Sequence, residues 1–118
     1  YESAGEATDA GLVLPLLRQM YQDEDVPASQ SAEAAFLLGE YRSTIGESEA
    51  AAERFLDAVE ADAGNVDLAP RALFRAIEEY LLLDRLTEAR QLLNTLNANF
   101  PDSQFTEAAG ELITGGQR

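Results

Sequence analysis

Residues 27–38 read PASQSAEAAFLL, and residues 101–112 read PDSQFTEAAGEL. Laid side by side without a gap, the two segments agree at seven of twelve places: Pro27/Pro101, Ser29/Ser103, Gln30/Gln104, Glu33/Glu107, Ala34/Ala108, Ala35/Ala109 and Leu38/Leu112. Their offset is 74 residues, which is two units of about 37, a period typical of stacked helical repeats. A looser middle unit runs through GNVDLAPRALFRAIEEY at 64–80, where Pro70 leads a new helix.

Working outward, the intervening sequence is helical in composition and period. Ala and Leu dominate the apolar residues while Val and Ile are scarce, a poor mixture for strands. Apolar positions recur at spacings of three and four in four sets: Ala34, Leu37, Leu38, Tyr41, Ile45; Ala51, Phe55, Ala58, Val59; Leu73, Ile77, Tyr80, Leu81; and Ala89, Leu92, Leu93, Leu96. Gly39, Gly46, Gly64, Pro70 and Pro101 punctuate them. Gly39 sits inside its set, where glycine costs about 1 kcal/mol against alanine, and close helix packing is the expected reason. The spacing predicts helices near 9–23, 31–45, 47–62, 69–83, 86–99 and 103–114. The fold expected is all-α: a right-handed array of antiparallel helix pairs, an α-solenoid of five or six helices. It forms a single domain over 1–118, with loose ends at 1–11 and 115–118.

These residues resemble the tetratricopeptide repeat (TPR) family. In SAEAAFLLGEYRSTIGESEAAAERFLDAVEAD, Leu38, Gly39, Gly46, Ala51, Phe55 and Ala58 stand where that family places its signature small and large residues. In LFRAIEEYLLLDRLTEARQLLNTLNANFPDS, the matching set is Leu73, Tyr80, Ala89, Leu93 and Pro101. There are departures: Arg42 takes the usual aromatic position with Tyr41 one place early, and Ile77 and Asp84 replace a small residue and the turn glycine. The loop 62–70 is about four residues longer than the standard period. The phrases NFPDSQFTEAA and DRLTEAR are similar to the subtype in bacterial envelope proteins, such as the outer-membrane-assembly lipoprotein and the Tol–Pal-associated periplasmic protein. That likeness implies a periplasmic or envelope-associated setting.

Composition narrows the chemistry. The chain carries 22 acidic residues against 8 basic ones, all arginine, for a net charge of −14, and it has no Cys, His, Lys or Trp. Disulfides, thiolate chemistry, imidazole acid–base catalysis and lysine Schiff bases are therefore excluded. The charge repels nucleic acid, so no nucleic acid is expected as a partner. A GC-rich genome or adaptation to high salt accounts for the acidic bias as readily as a site for a cationic ligand does. No run of 18 apolar residues occurs, so no membrane insertion is expected. The chain opens at Tyr1 without Met, as a processed chain would, and a removed leader or anchor would leave no trace.

No catalytic residue, cofactor or metal is assigned. The abundant carboxylates read as solvated helix faces, since a catalytic one needs a desolvated pocket to tune it. Asp23-Glu24-Asp25 and Asp62/Asp67 lack the calcium-loop pattern of alternating oxygens, glycine and a closing glutamate. The expected binding surface is a concave groove lined by Glu33, Phe36, Glu40 and Ser43 from one helix pair and Arg71, Phe74, Glu78 and Leu81 from the next. Family members that clamp a C-terminal carboxylate use Lys, Arg and Asn there, whereas Phe36, Phe74, Glu40 and Glu78 occupy the equivalent places. The resemblance thus implies a non-catalytic scaffold or adaptor taking a protein or peptide segment with basic residues and apolar anchors. The alternative is a structural or oligomerisation spacer in a larger or membrane-anchored protein. Exposed Phe36 and Phe74 rings favour the first, and buried rings favour the second. Phe105, Leu112 and Ile113 on the last helix are expected to leave an apolar face open to self-association.

Overall fold

A computed structural model describes residues 27–116. They form five helices: α1 (Ala28–Thr44), α2 (Ser48–Ala61), α3 (Leu68–Leu82), α4 (Leu86–Asn99) and α5 (Gln104–Gly116). No strand occurs among the described residues, so the all-helical class holds. The helix expected at 9–23 and the acidic run at 23–25 lie outside the described residues.

Local chemistry explains the helix ends. Pro27 itself is extended (φ −55°, ψ 147°), and its carbonyl accepts from the amides of Gln30 and Ser31, both at 3.0 Å, so α1 starts three residues earlier than the spacing predicts. At α3 the Asn65 side-chain oxygen accepts from the amides of Asp67 (3.1 Å) and Leu68 (3.0 Å). Pro70 then sits in the first turn, where its missing N–H leaves no bond unmade. Ser103 Oγ accepts from the amide of Phe105 at 3.1 Å ahead of α5.

The three-residue links after α1 and α3 share one geometry. Gly46 and Asp84 both have positive φ, 83° and 60°. In each link the next amide reaches back five residues, Glu47 to the Arg42 carbonyl (2.9 Å) and Arg85 to the Tyr80 carbonyl (2.8 Å). The amides of Gly46 and Asp84 themselves bond Ser43 and Leu81. This is the Schellman stop, which satisfies the last carbonyls of a helix by a left-handed residue. Asp84 therefore holds the same left-handed conformation as Gly46, one that aspartate tolerates better than most side chains.

Successive helices pack on one another, and α3 touches all four of the others. One core cluster joins α1, α2 and α3 through Ala32, Ala35, Phe36, Ala51, Ala52, Phe55, Ala58, Leu68, Ala72 and Ala76. Gly39 explains how close α1 and α2 come: a methyl group there would lie 2.7 Å from two ring carbons of the fully buried Phe55. A second cluster joins α3, α4 and α5 through Leu73, Ile77, Ala89, Leu96, Ala109 and Ile113. The repeat recurs as burial, since Ala35 and its counterpart Ala109 are both fully buried.

The apolar set of α1 needs correcting. Leu37 and Ile45 are exposed, because the contact face of α1 is set by the small residues Ala32, Ala35 and Gly39 together with Phe36. Leu37 points away from that face, and Ile45 belongs to the Schellman stop. On α5, Phe105 is half-buried against Phe74, Leu112 is half-buried and Ile113 is buried, while Glu107, Glu111 and Thr114 are exposed. The apolar side of this helix is turned into the core, so its described outer face is polar. No helix among the described residues is long and apolar enough to cross a membrane.

Candidate functional site

The residues expected to share a groove divide into four groups. Phe36 is only 7 % exposed, its ring centroid lies 5.2 Å from that of Phe55, and the Arg71 guanidinium sits over it at 5.8 Å. Phe74 is half-buried and packs against Phe105, with centroids 5.7 Å apart. Glu33 is exposed. Glu40, Ser43, Glu78 and Leu81 come together around two side chains that the sequence reading did not single out, Arg75 and Glu79.

Arg75 is the centre of that assembly. Its Nε and Nη2 donate to Glu40 Oε1 at 3.0 and 2.7 Å, tying α3 to α1. Its Nη1 donates to Glu78 Oε1 at 2.6 Å, one turn further along α3. Nη2 also reaches Ser43 Oγ at 3.3 Å, and that hydroxyl donates onward to Glu79 Oε2 at 2.8 Å. The guanidinium plane lies 5.0 Å from the Phe55 ring centroid, a cation–π distance that links the polar network to the core beneath it. Burial works to lower the Arg75 pKa, but hydrogen bonds and attraction from Glu40 and Glu78 outweigh it and hold the value above the ordinary one. Arg75 is a permanent cation.

Glu79 is the unusual member. It is 2 % exposed, in the last turn of α3, in line with the buried Ala69, Ala72 and Ala76. Its Oε2 has Ser43, with Arg75 Nη1 at 3.7 Å, an ion-pair distance rather than a hydrogen bond. Its Oε1 is fully buried and accepts no hydrogen bond from any described residue. Three carboxylates thus face one guanidinium, and the local field is negative.

Ser43, Arg75, Glu78 and Glu79 form one wall of an open depression of about 390 Å³, and Leu81, Leu82 and Leu112 form the rest. Leu82 is 74 % exposed, more than any other large apolar side chain described. Arg75 and Glu79 did carry a signal in the sequence. They extend Arg71 at steps of four, and Glu79 interrupts the alanine stripe at the next inward position. The Asp62 side chain, earlier weighed for a cation, accepts from Asn65 Nδ2 at 3.2 Å. Among the described residues no group of three or more acidic side chains is arranged to hold a metal ion. No family model, curated protein or solved structure matches the chain.

Proposed function

We propose that this chain is a tetratricopeptide-like array of antiparallel helix pairs acting as a non-catalytic protein–protein interaction module. It holds a segment of another protein in the groove between α1 and α3. The observation that carries this reading is the depression itself, where a negative cluster built from two helices stands beside exposed Leu82 and half-buried Leu81 and Leu112. Acidic walls steer and select basic partners, and apolar anchors supply most of the affinity. The matching Schellman stops at Gly46 and Asp84, 38 residues apart, support the repeat architecture. Leu81, Leu82 and Leu112 replace Phe36 as the anchoring surface, because Phe36 is already packed.

The burial of Phe36 favours a second reading, in which the domain is a spacer or oligomerisation unit with no groove ligand. A photo-crosslinking residue placed at Leu82, and as a control at exposed Glu60 on α2, separates the two. An interaction module yields a discrete crosslinked species from position 82 alone, mapping to a segment rich in arginine or lysine and leucine-like residues. Crosslinks that are absent, or equal from both positions, refute the groove and leave the spacer. An envelope setting remains part of the proposal, and fractionation of cells expressing the full-length protein tests it.

A further inference from the structure

Burying a carboxylate oxygen without a donor is costly, of the order of several hydrogen-bond increments in folding, and native proteins rarely tolerate it without a use. Glu79 Oε1 is such an atom. Glu79 is one of the residues lining an open depression, its other oxygen is already engaged by Ser43, and the neighbouring Arg75 directs four of its five N–H donors to Glu40, Glu78 and Ser43. We infer that Glu79 is the specificity-determining residue of the groove and receives a basic side chain of the bound segment, whose aliphatic stem lies on Leu81, Leu82 and Leu112. This inference rests on the groove reading proposed above and names what that groove selects.

The surroundings choose the ligand class. Three carboxylates against one guanidinium leave an excess of negative charge, which favours a cation. A metal ion would meet the Arg75 guanidinium in the middle of the cluster, and the carboxylates are not arranged to ligate one among the described residues. An ammonium or guanidinium on a flexible chain brings its own donors and needs a single acceptor at the end of an apolar slot. A depression lined by Leu81, Leu82 and Leu112, with Glu79 in its wall and one oxygen of that carboxylate unpaired, meets both needs.

The test uses the chain itself and two blocked amino acids that differ in charge, N-acetyl-lysine-amide and N-acetyl-norleucine-amide, with NMR shifts as readout. The lysine probe is expected to shift Ser43, Glu79, Leu81 and Leu82 saturably, with the norleucine probe about tenfold weaker. Glu79→Gln keeps the shape and removes the charge, and should bring the two probes to within about twofold of one another. Because a core variant can fold poorly, Leu82→Ser, at an exposed site, provides a second check: it should weaken the lysine probe about threefold through loss of the stem contact. Equal shifts from both probes would overturn the role of Glu79 while leaving the groove standing. Saturable shifts at these residues from neither probe would overturn both. Calcium chloride shifting the same residues in preference to the lysine probe would also overturn the inference.

Discussion

Between α1 and α2 the contact is made of alanines, one glycine and the paired rings of Phe36 and Phe55, whereas α3, α4 and α5 meet mainly through leucine and isoleucine. In the first region Gly39, Ala51, Ala52 and Ala58 let the backbones approach, and Phe55 fills the space that remains. In the second, only Ala89 and Leu96 of α4 are buried, and Leu86, Leu92 and Leu93 are half-buried around them. Small residues concentrate the packing energy in two touching rings, and large ones spread it over many partial contacts. The first arrangement is rigid and intolerant of change; the second is more forgiving.

The largest test of this contrast is Phe55→Ala, which should cost about 4 kcal/mol, since alanine neighbours cannot collapse into the cavity. Urea denaturation followed by circular dichroism measures it. Leu96→Ala, the corresponding deletion in the second region, should cost about 3 kcal/mol, because half-buried leucines can shift inward. If Leu96→Ala proves the costlier of the two, the contrast as drawn is broken. Gly39→Ala adds a single methyl against the Phe55 ring and should destabilise by about 2 kcal/mol in spite of alanine's better helix propensity. A neutral or stabilising result in thermal melts would mean that the ring moves aside and the α1–α2 contact is not tight.

Smaller effects sharpen the picture at the links. Asp84→Gly should stabilise by about 0.5 kcal/mol, relief of the left-handed aspartate slightly exceeding the added freedom of the unfolded chain. The reverse exchange, Gly46→Asp, should be mildly destabilising, and together they measure how alike the two Schellman stops are. Tyr80, which borders both clusters, gives a pH effect. Burial first, then repulsion from Glu88, pushes its phenol above the ordinary value. The folded protein therefore holds this proton more tightly than the unfolded one. Stability from Tyr80 is complete below a pH of about 10, the unfolded value, and is lost as pH rises through the higher folded value. Tyr80→Phe should flatten the alkaline limb of a melting-temperature profile, and an unchanged limb would assign it to other groups.

Much of the fold is legible in residue order because it depends on local rules. Pro27, Pro70 and the two left-handed link positions mark helix ends, and Gly39 announces a close approach. The site was legible only in part. Glu40, Ser43, Glu78 and Leu81 do lie near one another, but the network joining the polar ones is closed by Arg75 and Glu79, whose partners on α1 lie 35 and 36 residues away. Period alone does not say which of two adjacent residues on a helix turns inward to meet another helix. The same limit explains Phe36: a ring at a groove position is drawn into the core when glycine and alanine bring the next helix near enough to stack on it.

The contacts of α3 with every other helix have a consequence for how the chain comes apart. A linear stack joined only between neighbours can fray from its ends, unit by unit. Here Leu56, Val59, Tyr80 and Leu92 pack against both clusters at once, so loss of either exposes surface belonging to the other. Melting of the described helices is thereby expected to be a single all-or-none event, with calorimetric and van't Hoff enthalpies in agreement. The central helix acts as a keystone.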